Sequence, residues 1–230
     1  MNKTEPINTM NKFSLFNEEW SSKSIYIIGI SGIILFITSS LIGGFLIENY
    51  NISSQYISET YAIDTRYGIL LRVFGYFPSG IFFTLFCFLG INYFPASKLI
   101  KSGFFGLGLL YGLGTILVTV FPCDSGCNPE YINPSISQII HNIAALVIYA
   151  FVPVTIVITG IGFNKFSNYK SLSQIALVLG ILIVFFVYLL FANLHSEYVG
   201  FYQRIIELLI LGWILACALK LKKDPIVSYR

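Results

Sequence analysis

The chain has 230 residues, of which 56% are hydrophobic and 11% charged, with a formal net charge of +3. Soluble proteins average about 25% charged residues, so a water-soluble domain is excluded, and so small a positive balance calls for no nucleic-acid partner. An all-α polytopic membrane protein remains: six apolar stretches, at about 25–47, 68–91, 103–121, 136–162, 172–193 and 200–221, each reach or approach the roughly 20 residues that cross a hydrocarbon core of about 30 Å. The run from Ile181 to Phe191 is apolar all round, unlike the alternating segments of about 10 residues in a membrane barrel.

Residues 1–24 form a polar tail with Lys3, Lys12 and Lys23 beside Glu5, Glu18 and Glu19. This is not the basic start and short apolar run of a cleavable signal, so helix one is expected to serve as an uncleaved anchor. The connection to helix two is the longest, about 20 residues, and carries a formal glycosylation sequon at Asn51-Ile52-Ser53. Helix two contains Arg72 and the kink signals Pro78 and Gly80. In helix three Gly103, Gly106, Gly108, Gly112 and Gly114 provide small residues that let a neighbouring helix approach. The loop Phe121-Pro122-Cys123-Asp124-Ser125-Gly126-Cys127 follows, then helix four with Gln138, His141 and Pro153. Helix five is almost featureless. Helix six opens with Gly200 and carries Gln203, Arg204 and Glu207 before a basic tail at 222–230.

Basic residues beside the spans set the orientation. With both termini inside, eleven face the cytoplasm (Lys3, Lys12, Lys23, Lys98, Lys101, Lys165, Lys170, Lys220, Lys222, Lys223 and Arg230) and three (Arg66, Arg72 and Arg204) lie towards the other face. The expected topology is therefore N-in and C-in, a 25–221 membrane domain with the cysteine loop outside. At 1.5 Å per residue, Arg72, His141, Arg204 and Glu207 lie about 7, 9, 6 and 10 Å below the outer ends of their helices. Ionisable groups at such depth face a bundle interior, pair with one another or line a cavity. Arg72, Gln138, His141, Gln203, Arg204 and Glu207 are thus candidates for one polar pocket under the cysteine loop. The alternative is structural, with Arg204 snorkelling to the interface and Arg72 pairing with Glu207.

Cys123 and Cys127 have turn residues between and beside them, and on an oxidising face a disulfide is favoured. A metal site of Cys123, Cys127 and His141 with Asp124 or His195 and reactive thiols are the competing readings. Cys87 and Cys217 read as apolar filler. Only two histidines, His141 and His195, are present, so one bis-histidine haem is conceivable and a paired-haem cytochrome is not. No cofactor and no metal are expected. Ser125 lacks the Gly-x-Ser-x-Gly setting of an exposed nucleophile; Asp124, His141 or Glu207 would be the acid or base of any catalysis, with Arg72 and Arg204 gripping an anion.

The segment Ser54-Gln55-Tyr56-Ile57-Ser58-Glu59, the Phe-Pro-Cys-Asp loop ending at Cys127 with His141 after it, and Gly200-Phe201-Tyr202-Gln203-Arg204 together resemble domain of unknown function 998, a family of bacterial and archaeal membrane proteins. The resemblance spans helix one to helix six. It implies a six-helix bundle in a prokaryotic plasma membrane with its signature residues outside, and it implies no reaction. A looser similarity, in helix number and outer-face motifs, is to the Frag1, DRAM and Sfk1 group. Ser54, Gln55, Ser58, Glu59, Cys123, Asp124, Cys127, His141, Gln203 and Arg204 are accordingly read as one exofacial site. The expected function is binding or transport-like handling of a lipid headgroup or small polar amphiphile, with membrane lipids as partners. The alternatives are a scaffold without chemistry and an outer-face lipid hydrolase or transferase.

Overall fold

The computed structural model describes residues 21–223 and is all-α, with no strand among them. Most of the expected polar tails lies outside the described residues. Six long helices follow: α1 Ser22–Leu46, α2 Gly68–Tyr93, α3 Lys98–Val120, α4 Ile136–Phe163, α5 Lys170–Ala192 and α6 Val199–Lys223. The first five are long and apolar enough to cross a membrane. Helix α6 has 25 residues, about 37 Å at 1.5 Å each, but carries Arg204 and Glu207 near its start and Lys220, Lys222 and Lys223 in its last turn.

Each helix packs on its neighbour in sequence, and α6 packs back on α1, closing a ring. Short connections make successive helices antiparallel. The end of α1, the start of α2, the end of α3 and the start of α4 therefore gather at the cysteine loop, together with the α5–α6 turn. Trp213, Tyr76, Tyr111, Phe83 and Phe86 fill the centre with 1% exposure or less, while Phe45, Phe74, Ile136, Ile181 and Tyr188 face outward. An apolar exterior over internally bonded helices is the arrangement that hydrocarbon demands.

Helix α3 starts at Lys98, before its apolar stretch, because the polar turn with Lys98 and Lys101 extends the helix past the greasy segment. Helices α2 and α3 each contain a widened π turn, where Phe77 N–H reaches Arg72 O and Leu113 N–H reaches Gly108 O. The first lies just before Pro78, whose ring cannot fit an ordinary α-helical interior. Helix α4 remains helical through Pro153. The α3 glycines serve two neighbours: Cβ positions at Gly103, Gly106 and Gly114 point at Thr159, Thr155 and Ile148 of α4, whereas those at Gly108 and Gly112 point at Phe88 and Thr84 of α2.

Candidate functional site

The connection between α1 and α2 folds over the ring as a cap. Asn51 Oδ1 accepts the Ser53 N–H, and Gln55 Oε1 accepts the Asn51 N–H at 2.7 Å. Gln55 Nε2 donates to Glu59 at 2.8 Å, and the other Glu59 oxygen accepts the Tyr56 N–H at 2.7 Å. Burial pushes the Glu59 carboxyl above its ordinary value, against the lowering effect of the Gln55 and Tyr56 hydrogen bonds and the charge of Arg204. Burial likewise raises the Tyr50 hydroxyl, opposed by Arg204. A single 3-10 turn, Ile57–Tyr61, then drives Ile57, Ser58, Thr60 and Tyr61 into the ring.

The start of α6 clasps this cap. A Cβ on Gly200 would lie 2.2 Å from Gln55 O and 2.7 Å from Ile52 O, so only glycine permits the approach. Those two carbonyls accept from Arg204 Nη1 at 2.8 Å each, and Arg204 Nη2 donates to the Tyr50 hydroxyl. The Ile57 N–H donates to Gln203 Oε1 at 2.6 Å. Gly200, Gln203 and Arg204 are one fastening: Gly200 and Arg204 meet the same two carbonyls, and Gln203 takes the Ile57 N–H.

Cys123 and Cys127 form a disulfide with Cα atoms 4.8 Å apart. The bond removes the thiolates that a metal site or a reactive thiol would need. Among the described residues no cluster of three or more metal-ligating side chains forms. Gly126, Cys127 and Asn128 adopt successive left-handed conformations, held by N–H bonds from Cys127 to Asp124 O and from Asn128 to Ser125 O. Ser58 meets the bridge, its Oγ 3.2 Å from Cys127 Sγ, while Ile63 N–H donates to Cys123 O at 2.9 Å. Fully buried Gln138 accepts the Asp124 N–H at 2.7 Å and donates to Cys127 O and Asn142 Oδ1. Asp124 in turn accepts the Ser135 N–H at the start of α4 at 2.9 Å, and hydrogen bonds from the Ser135 hydroxyl and N–H hold its carboxyl below the usual range.

Beneath the cap lies a buried polar group. Glu207 is 8% exposed, and its two oxygens accept from Tyr111 and Tyr149, each at 2.8 Å. Gln203 Nε2 donates to the Tyr149 hydroxyl at 3.1 Å. His141 places Nδ1 against the carbonyls of Phe121 and Val118 at 2.9 and 3.1 Å; two such acceptors call for a proton on Nδ1. Arg72 does not reach Glu207: its Nε donates to Gly68 O at 3.3 Å, one turn back on its own helix. His195 is exposed in the α5–α6 turn.

Three cavities meet this group. One of about 280 Å³, between α1, the cap and α6, is lined by Tyr50, Arg204, Glu207 and Ser40 beside Phe36, Ile37, Leu41, Phe45, Leu208 and Leu211. A small internal space of about 50 Å³ is walled by Tyr61, Tyr76, Tyr111, Tyr149, His141, Gln203 and Glu207. A third, of about 540 Å³, touches Ser58, Cys127, His141, Tyr149, Gln203 and the end of α5 at Leu190, Phe191 and Leu194. Glu207 borders the first two, and His141, Tyr149 and Gln203 border the last two. Arg72, Asp124 and Gln138 line none of the three.

The sequence profile of the family described as protein of unknown function DUF998 matches residues 30–220, from α1 to the last turns of α6. The chain belongs to the DUF998 family. Comparison with curated proteins and with solved structures gives no match. Within this DUF998 protein the residues expected to form one site divide by role. Ser54, Gln55, Glu59 and Arg204 belong to the cap and its fastening, which Gly200 completes, with Ser54 in the intervening turn; Ser58, Cys123, Asp124, Cys127 and Gln138 belong to the disulfide loop, and His141 borders the inner space beneath it. Gln203 joins the cap, through Tyr149, to the buried Glu207. Composition pointed to none of Tyr50, Tyr61, Tyr76, Tyr111 and Tyr149, since tyrosine is abundant and reads as an interfacial belt. The available signal was position: Tyr111 and Tyr149 fall well inside apolar spans.

Proposed function

We propose that this DUF998 protein binds an amphiphile in the cavity between α1 and α6, on the outer side of a prokaryotic plasma membrane with both termini cytoplasmic. The observation that carries the reading is the lining of that cavity. Arg204, Tyr50 and Glu207 stand at its cap end, and Phe36, Ile37, Leu41, Phe45, Leu208 and Leu211 supply an apolar wall. Ligand sites commonly combine such walls with a few placed polar groups. Exposed Phe45, Leu41 and Leu208 put the mouth on the outer surface of the bundle, where lipid would stand. Arg204 hydrogen-bonds to neutral partners, and its charge, felt by Glu59 in the cap, also borders this cavity, where it would attract an anionic headgroup.

Leu208→Trp tests the reading, because it fills the cavity and removes no hydrogen bond. Native mass spectrometry of protein released from membranes in mild detergent is expected to show retained lipid on the wild type and none on the variant at equal thermal stability. Equal retention by both would overturn the assignment. Arg204→Ala is a poorer probe, since it also opens the cap.

A further inference from the structure

The third cavity, between α4, the end of α5 and the disulfide loop, differs in kind from the one beside α1. Its volume, about 540 Å³, falls within the roughly 300–1,000 Å³ of ligand sites. No Asp, Glu, Lys or Arg among the described residues lines it, whereas Arg204 and Glu207 line the α1–α6 cavity. Leu146, Phe191 and Leu194 stand in its wall and are exposed on the outer surface of the bundle, so it opens towards lipid.

The polar end of this cavity is set by a chain of amides whose direction is fixed. The Asp124 N–H can only donate, so Gln138 presents Oε1 to it and Nε2 to Cys127 O and Asn142 Oδ1. Asn142 therefore turns Nδ2 away from Gln138, and that group has no acceptor among the described residues. It lies about 10 Å below the start of α4, where an unpaired amide is costly and lipid chains offer no acceptor. Asn142 lines this cavity and neither of the other two. His141, in the wall shared with the inner space, adds a second unmet group. Its Nδ1 is committed to the Phe121 and Val118 carbonyls, and Nε2 has no partner among the described residues. Nε2 is not sealed away, since Trp213 Nε1 is the sole enclosed and unpaired side-chain nitrogen or oxygen among those residues.

We propose that the α4–α5 cavity is a second ligand site, for a neutral amphiphile whose polar end is a hydroxyl. The hydroxyl oxygen accepts the Asn142 amide proton, and the same group answers His141 Nε2 in either protonation state, donating to a lone pair or accepting from an N–H. A carboxylate or phosphate would enter with no cation to meet it, and an ammonium with no carboxylate. The apolar chain lies along Leu146, Leu190, Phe191 and Leu194. This site is independent of the α1–α6 reading above. The shared chemistry is a hydroxyl on an apolar chain, whether from a diglyceride or from a simple long-chain alcohol.

The test uses the whole protein in phosphatidylcholine vesicles, whose lipid has no free hydroxyl, photolabelled with three diazirine probes of one chain length ending in hydroxyl, carboxylate or trimethylammonium. The alcohol is expected to label α4 and α5 around the cavity saturably, about fivefold more than either charged probe. Asn142→Leu is expected to remove that excess. Leu146→Trp fills the cavity without removing a hydrogen bond, and is expected to abolish the labelling even if Asn142→Leu fails to fold; Leu208→Trp is expected to leave it unchanged. Competition by dioleoylglycerol alone identifies a diglyceride, and competition by oleyl alcohol as well identifies the hydroxyl itself; either supports the proposal. Equal labelling of α4 and α5 by all three probes, or an excess that survives in folded Asn142→Leu, would overturn the hydroxyl assignment. Labelling confined to α1 and α6 and abolished by Leu208→Trp would overturn the second site and leave the amphiphile reading standing. Absence of saturable labelling by every probe would show that the cavity holds only water or bulk lipid, which also overturns the proposal.

Discussion

Arg204 shows how a single charged side chain near a membrane surface can act mainly as a fastener. Its Nη1 donates to the carbonyls of Ile52 and Gln55 and ties the cap to α6, each such hydrogen bond contributing on the order of 0.5–1.5 kcal/mol net. Asp124 does comparable work at the other loop, where its carboxylate accepts from Ser135. Its folded-state value lies below the unfolded one. The stability it contributes is therefore present above the unfolded carboxylate range, near about 3.9, and is lost as pH falls through the folded value. Asp124→Asn is expected to lower the thermal midpoint at pH 7 and to flatten its decline towards pH 3. An acid limb identical to the wild type would show that Asp124 adds nothing to it. These roles were hidden in the sequence: a conspicuous Arg or Asp near a span end announces that it has a partner, and never whether that partner is backbone or ligand.

At the scale of elements, two features decide where the polar groups stand. The π turn at Gly108–Gly112 contains Tyr111, the residue that reaches Glu207, and such turns recur at functional sites. Gly112 also permits α2 and α3 to touch, since a Cβ there would come within 2.8 Å of the Thr84 backbone. Gly200 does the same between α6 and the cap. Gly200→Ala drives a methyl into the Gln55 carbonyl, which cannot rotate away, and overpacking of this kind costs about 1–3 kcal/mol. The expected result is faster amide hydrogen exchange across residues 52–57 with α2 to α5 unchanged; protection equal to the wild type would refute the clasp. Spans, prolines and small-residue spacings were legible along the chain. The π turns were not, because one extra residue per turn leaves an all-round apolar segment looking the same.

For the whole molecule, the closed ring sets the two ends apart. Lysines gather at the end opposite the disulfide, at Lys98, Lys101, Lys165, Lys170, Lys220, Lys222 and Lys223, a bias that the positive-inside rule converts into an orientation. Ile132→Cys, exposed in the disulfide loop, is expected to react with a membrane-impermeant maleimide on intact cells. Asn168→Cys, exposed in the α4–α5 turn, is expected to react only after permeabilisation, and the reverse pattern would invert the topology. Native Cys87 and Cys217 are fully buried and should stay silent. By itself the sequence determined class, helix number, approximate spans and family, because hydrocarbon imposes length, apolarity and internal backbone bonding on each segment separately. Tertiary structure alone decided that Arg72 and Glu207 stand apart, that Arg204 grips the cap, and that two tyrosines, one of them held by Gln203, hold the buried Glu207 side chain beside an open cavity. Those partners lie up to 154 residues apart, and no local pattern encodes which helices will close the ring.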